Sequence, residues 1–156
     1  MEPRLNPFDH PDLAKFAKHI IAAGAVVTGS PLPAATQELV KIRASQINGC
    51  AGCLDMHTKE AQERGETSVR LHLVAAWREA TVFTEAEKAA LELTEQGTRL
   101  ADGSGVSDDA WSHAAKHYDD EQLGALVCLI ALINAFNRLN VITQQPGGNY
   151  QPGQYA

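Results

Sequence analysis

Two cysteines and a histidine fall within eight residues of one another, between Cys50 and His57. On a helix, the Cys50-x-x-Cys53 spacing puts both thiols on one face, and His57 shares that face at i+4 from Cys53. Thiols at this spacing are close enough to form a disulfide. The unpaired N–H groups of a helix N-terminus favour the thiolate and so lower the pKa of a nearby cysteine. Because His57 could take and return the thiol proton, the motif predicts thiol redox chemistry.

A helical hairpin is predicted to position these side chains. Its first helix covers residues 34–47, and the turn Asn48-Gly49 separates it from the helix that begins with the cysteines. The hairpin could fold Glu38, which lies twelve residues before Cys50, back against His57 to orient the imidazole or a bridging water. The predicted catalytic residues are Glu38, Cys50, Cys53 and His57.

A structural zinc site is the main alternative for the two cysteines, with His57 as a third ligand. A tetrahedral site needs a fourth ligand, and no second Cys or His pair is suitably spaced in the sequence, so redox use is favoured. The remaining cysteine, Cys128, lies in an apolar run and is predicted to be a small buried hydrophobic residue.

Helical periodicity continues on both sides of the hairpin, and no segment shows the alternation of a strand, so the predicted class is all-α, with about seven helices. Val69, Leu73 and Ala76 are predicted to face inward, and the last helix, apolar on most sides, to be the central buried element. The predicted helices run from Pro11 to about residue 27, from 34 to 47, from Cys50 to Arg64, from Thr67 to Arg78 and from Thr84 to about Leu100. A sixth, capped by Ser107, contains Trp111 and Ala115, and the last runs from Asp120 to Leu139 or Val141.

Length and composition fit a single domain over residues 1–156, with 44% hydrophobic residues. The net charge of −6 and the lack of a basic run argue against nucleic-acid binding. No signal peptide or apolar stretch of bilayer length is evident, so a cytoplasmic protein without a membrane anchor is expected. Residues 1–8 are predicted to be an extended arm, and the Pro- and Gly-rich tail, residues 144–156, to be disordered or to lie across a neighbouring subunit.

The chain resembles the AhpD-like alkylhydroperoxidases of the carboxymuconolactone decarboxylase superfamily. The resemblance rests on Glu38 followed, twelve residues on, by Cys50-x-x-Cys53-x-x-x-His57. It covers residues 31–141 and includes the segments Leu39 to Glu66, Ala75 to Ala80, Phe83 to Glu87 and Ala131 to Asn140.

This resemblance implies a peroxiredoxin-like oxidoreductase of antioxidant defence that forms homotrimers or homohexamers and reduces organic hydroperoxides. It assigns peroxide attack to Cys53 and resolution to Cys50, with Glu38 and His57 relaying protons. The position at the helix start alone would make Cys50 the more acidic thiol. No bound cofactor is implied, and the external reductant would be a dihydrolipoyl-carrying adaptor protein or another small dithiol.

One position departs from the family pattern. Better-characterised members can carry a histidine between the two cysteines, where this chain has Gly52. The proton relay would then be shorter and peroxide turnover slower. Two other functions stay open: a decarboxylase-like lyase acting on a lactone, which needs no redox cysteines, and a non-enzymatic thiol or metal sensor.

Overall fold

The computed structural model describes residues 2–7 and 9–154. These residues form α-helices and two single-turn 3-10 helices, Val74–Ala76 and Leu100–Asp102, with no strand among them. The predicted all-α class is confirmed. The α-helices are α1 (Pro11–Thr28), α2 (Ala34–Asn48), α3 (Ala51–Glu63), α4 (Ser68–Leu73), α5 (Glu85–Thr98), α6 (Asp108–Ala115) and α7 (Asp120–Thr143).

Local capping signals set most of the helix boundaries. At the start of α5, Thr84 and Glu87 form a capping box, in which each side chain accepts from the backbone N–H of the other residue. The Ser107 side chain caps α6 in the same position. Gly49 ends α2 in the left-handed conformation, with φ at 66°, which glycine adopts without the steric cost of a Cβ.

The most deeply buried helix is α2, which packs against α3, α5 and α7 and has eight of its fifteen residues buried, against eight of twenty-four in α7. The prediction that α7 would be central is therefore wrong. One face of α7 contributes Leu126 and Leu129 to the core, whereas Val127 on its other face is 46% exposed. The apolar character of α7 did not identify the central helix, because α2 also buries polar residues. One of them is Ser45, whose hydroxyl accepts a hydrogen bond from Asn137.

The outward face of α7 also carries Cys128, which is exposed in this chain rather than buried as predicted. An apolar sequence neighbourhood does not determine which side of a helix meets the core. Among the described residues, α7 is also the helix long and apolar enough, by length and composition, to cross a bilayer. Because α7 packs against α1, α2 and α5, its apolar residues are those of a helix that contributes to the core.

The inward face of α4 differs from the predicted one. Val69 and Ala76 are exposed, Leu73 is half-buried, and the buried residues are Leu71, Val74 and Trp77. The helix ends at Leu73 and continues as a 3-10 turn, so a single 3.6-residue period does not describe the segment.

The chain termini pack on the bundle. In the N-terminal arm the Arg4 backbone N–H donates to the Thr143 carbonyl at 2.8 Å. The described part of the C-terminal tail, residues 144–154, lies against α3 of its own chain, so the prediction of disorder is wrong for these residues. Residues 1, 8, 155 and 156, which belong to the predicted arm and tail, lie outside the described residues.

Candidate redox site

The turn between α2 and α3 positions the two cysteines. Cys50 is the N-cap of α3, and its sulfur accepts the backbone N–H of Cys53 at 3.3 Å. Cys50 and Cys53 are joined by a disulfide, with their Cα atoms 5.4 Å apart. Both residues are buried, with 1% and 2% of their surface exposed. The predicted cysteine pair is therefore assembled in its oxidised form at the start of α3.

A residue of α7 that the sequence analysis missed also contacts the pair. The Asn140 amide donates to the Cys53 sulfur at 3.3 Å. It lies 87 residues from Cys53, and no local pattern links the two. Two asparagines earlier on α7, Asn134 and Asn137, accept hydrogen bonds from the Asn48 amide at the end of α2 and so join the two helices. These bonds fix the end of α7 beside the cysteine turn.

Glu38 reaches His57 across the hairpin, as the spacing suggested. Its Oε2 lies 3.1 Å from Nδ1 of His57. The other carboxylate oxygen accepts from Lys41 at 2.9 Å and from Arg64 at 3.1 Å. The Glu38 side chain is 4% exposed, whereas that of Arg64 is 52% exposed. Arg64 is thus a partner of the candidate site.

The charges of this pair follow from its surroundings. Burial alone would raise the pKa of Glu38, but the hydrogen bond from His57 and the charge of Lys41 outweigh it and lower the pKa to about 2. Burial lowers the pKa of His57, and the hydrogen bond to Glu38 only partly opposes this. Near neutral pH the pair is therefore an ionised carboxylate and a neutral imidazole.

These charges determine the tautomer of His57. An ionised carboxylate can only accept hydrogen bonds, so the proton between the two residues belongs to Nδ1 of His57. In a neutral imidazole, Nε2 then carries a lone pair and can accept a proton. Glu38 therefore holds His57 as a base on the same helix as the cysteines.

The geometry does not favour metal binding. No group of three or more His, Cys, Asp or Glu side chains within the described residues is arranged to hold a metal ion. In the oxidised state the two sulfurs are bonded to each other and offer no thiolate to a metal ion. The arrangement is suited to proton transfer and thiol–disulfide chemistry instead.

Comparisons with known proteins bear on the family of the chain. The sequence profile of the carboxymuconolactone decarboxylase family matches residues 14–96. The chain is 46% identical to the uncharacterised protein YdfG of Bacillus subtilis over 106 residues, which are 68% of this chain and 71% of that protein. It is 33% identical to the uncharacterised protein YnjA of Escherichia coli over 111 residues, which are 71% of this chain and 60% of that protein.

A solved structure extends the likeness to nearly the whole fold. A protein of unknown function from Agrobacterium tumefaciens, provisionally described as the antioxidant defence protein AhpD, superposes with a TM-score of 0.88 at 33% identity. The match covers 96% of this chain and 100% of the other. The chain belongs to the carboxymuconolactone decarboxylase family and has an AhpD-like fold.

Proposed function

We propose that this protein is a thiol-dependent peroxidase that reduces organic hydroperoxides in antioxidant defence. The observation that carries the proposal is the Cys50–Cys53 disulfide at the start of a helix that also holds His57 as a neutral base against ionised Glu38. A buried structural disulfide would not need the oriented base. The general relation to peroxidases comes from the family and the fold.

The oxidising half of the cycle begins with the reduced pair. His57 takes the thiol proton of Cys53 at Nε2, and the thiolate attacks the terminal oxygen of the hydroperoxide. The O–O bond breaks, Cys53 becomes a sulfenic acid, and the alkoxide leaves as the alcohol with the proton from His57. The Cys50 thiol then attacks the Cys53 sulfur, forming the disulfide and releasing water. The Asn140 amide, which donates to the Cys53 sulfur, would stabilise the thiolate of that residue.

The reducing half of the cycle gives Cys50 a distinct role. A thiolate of an external dithiol attacks the Cys53 sulfur, and Cys50 leaves as a thiolate. Its sulfur already accepts an N–H at the helix N-terminus, and such a thiolate is a good leaving group. The second thiol of the donor then frees Cys53, so that the two electrons come from the dithiol. This assignment reconciles a more acidic Cys50 with peroxide attack by Cys53.

The partners follow from the same cycle. We propose a dihydrolipoyl-carrying adaptor or another small dithiol as reductant, with no bound cofactor, in the cytoplasm, where thiols are kept reduced. We further propose a homotrimer or homohexamer, since Phe16 and Ile21 of α1 and Val127 of α7 are about half exposed on two helices that pack together. Light scattering coupled to size-exclusion chromatography would determine the assembly.

The test counts thiols during a single turnover. The reduced chain has three cysteines, and one equivalent of cumene hydroperoxide should remove two free thiols and leave Cys128. The Cys53→Ser variant should consume no peroxide, whereas Cys128→Ser, the matched control, should behave as the native protein. In the Cys50→Ser variant, dimedone should label Cys53 as the trapped sulfenic acid.

The alternatives give different outcomes in the same experiment. A lactone decarboxylase would be active after alkylation of Cys50 and Cys53, and its thiols would survive the hydroperoxide. A metal sensor would bind stoichiometric zinc when reduced and would turn over no peroxide. Unchanged peroxide consumption in Cys53→Ser would contradict the assigned attack, and dimedone labelling of Cys50 in that variant would reverse the order of the cysteines.

A further inference from the structure

The C-terminal residues 145–154, here called the strap, cross the first turn of α3 between the two cysteines. A Cβ atom on Gly147 would lie 2.5 Å from the carbonyl oxygen of Ala51, closer than any side chain allows. A Cβ atom on Gly52 would lie 3.3 Å from the carbonyl oxygen of Pro146. The two backbones therefore touch here because both sides present glycine.

Two carboxylates of α3 fasten the strap further along the helix. Oδ2 of Asp55 accepts the backbone N–H groups of Gly148 at 2.6 Å and Tyr150 at 2.9 Å. One turn later, Oε1 of Glu60 accepts the Tyr150 hydroxyl at 2.5 Å and the Gly153 N–H at 2.8 Å. Hydrogen bonds to ionised acceptors are the stronger kind. The strap is therefore held by specific contacts rather than by apolar burial.

The strap begins at a residue that is hydrogen-bonded to the Cys53 contact on α7. The Gln145 N–H donates to the carbonyl of Asn140, the residue whose amide donates to the Cys53 sulfur. Between them Gln144 ends α7 in the left-handed conformation, with φ at 56°, and turns the chain toward α3. On the outer side, the Gln145 side chain donates to the Leu5 carbonyl of the N-terminal arm.

We propose that the strap closes the cysteine site and must leave α3 before a reductant reaches the disulfide. The proposal rests on the redox use of this disulfide under the proposed function. The strap crosses Ala51 and Gly52, the two residues between the cysteines, and both cysteines are at most 2% exposed. Thiol–disulfide exchange requires that the attacking thiolate reach a sulfur. A terminal segment that is held on the surface by hydrogen bonds can open locally while the bundle stays folded.

The step that the strap limits is the reductive one. A thiolate of the dithiol bonds to the Cys53 sulfur as the bond between the cysteines breaks, and Cys50 takes up a proton as it leaves. The second thiol of the donor then displaces Cys53, and the donor ends as its own cyclic disulfide. Two electrons pass from the donor to the protein, so no other oxidant or reductant is needed.

The experiment measures strap opening and disulfide reduction separately. In Gly147→Ala the new Cβ would meet the Ala51 backbone, so amide hydrogen exchange at Gly148 and Tyr150 should accelerate. The rate of disulfide reduction by dithiothreitol, followed by thiol counting in full-length oxidised protein, should rise roughly tenfold. Asp55→Ala, which removes the two hydrogen bonds from the strap to Asp55, should likewise accelerate exchange and reduction.

Matched controls lie in the same two elements. Asn149→Ala changes an exposed side chain of the strap, and Glu63→Ala removes an exposed carboxylate of α3. Both should reduce at the native rate. If amide exchange in Gly147→Ala is faster but the disulfide is reduced at the native rate or more slowly, the proposal is overturned. Unchanged amide exchange at Gly148 in that variant would also overturn it. Because no peroxide is present, a chain that fails as a peroxidase can still pass or fail this test.

Discussion

Two buried glutamates on neighbouring helices have similar electrostatics but different partners. Glu38 on α2 and Glu95 on α5 are both about 5% exposed or less, and the pKa of each is lowered because its hydrogen bonds and nearby positive charges outweigh burial. Glu95 binds Arg43 at 2.7 Å, the Trp77 indole at 2.9 Å and Arg78. None of these three groups exchanges a proton near neutral pH.

Glu38 differs because one of its partners is a titratable base. Its two cations, Lys41 and Arg64, occupy one oxygen, and His57 occupies the other. Burial and a shifted pKa are therefore shared by a structural and a candidate catalytic carboxylate. What separates them is whether the group that the carboxylate holds can change its protonation state.

Glu95→Gln should produce the largest loss of stability. The substitution leaves Arg43, whose side chain is 12% exposed, without a compensating charge. Breaking a buried ion pair from one side typically costs about 3–5 kcal/mol of unfolding free energy. Chemical denaturation would measure the loss, and Glu85→Gln on the exposed face of α5 is the control, expected within about 1 kcal/mol of the native protein. Peroxide turnover per folded molecule of Glu95→Gln should equal that of the native protein. A lower turnover per folded molecule would remove the distinction between the two glutamates.

The pH dependence of stability should reveal the lowered pKa of Glu38. A carboxyl whose pKa falls from 4.5 to about 2 on folding stabilises the protein fully above pH 4.5 and progressively less as the pH falls toward 2. The lost contribution amounts to roughly 3 kcal/mol. His57, with a pKa lowered from 6.5, acts in the same direction, because the unfolded chain takes up its proton first as the pH drops below 6.5.

Denaturation midpoints of the native protein and Glu38→Gln across this range would isolate the carboxyl. The native protein should lose more stability than the variant between about pH 4.5 and 2, since glutamine does not titrate. Parallel losses in the two proteins would mean that Glu38 is not ionised below its usual range. That result would also remove the argument for the His57 tautomer.

Glu38→Gln should also lower peroxide turnover, by roughly a hundredfold. Lys41 and Arg64 both donate to the same oxygen of Glu38, so they would hold the glutamine oxygen on their side and turn its NH₂ toward His57. Nδ1 of His57 would then have to accept, and the proton would move to Nε2, where the base is needed. Single-turnover thiol oxidation measures the effect, with Glu95→Gln as the comparison. Native turnover in Glu38→Gln would exclude the relay.

The sequence predicted the parts of this site that depend on local spacing. The Thr84 capping box, the left-handed Gly49 and the hairpin follow from short-range rules, and the hairpin with the family resemblance led to the contact between Glu38 and His57. These features could be found because the residues involved are close in sequence or belong to one recurring motif.

The features that were missed depend on how distant elements pack. Asn140 reaches Cys53 from the far end of the chain, and the strap is bound to α3 by the backbone N–H groups of Gly148, Tyr150 and Gly153 as well as by the Tyr150 hydroxyl. No side-chain pattern in the sequence indicates the backbone contacts. Cys128 was predicted to be buried because its neighbours in the sequence are apolar, yet its side chain is exposed in this chain. Composition sets how much of a helix is apolar, while tertiary contacts decide which side is covered.

The smallest expected effects come from two half-exposed arginines, Arg64 paired with Glu38 and Arg78 paired with Glu95. The Arg64 side chain is 52% exposed on Glu38, and the Arg78 side chain is 54% exposed on Glu95. Each alanine substitution should cost no more than about 1 kcal/mol of stability, since water screens such pairs. Arg64→Ala should still slow thiol oxidation by roughly two- to threefold, because one of the two cations that orient Glu38 is lost. Arg78→Ala should leave the rate unchanged, and equal kinetic effects of the two variants would show that both glutamates act only through the stability of the fold.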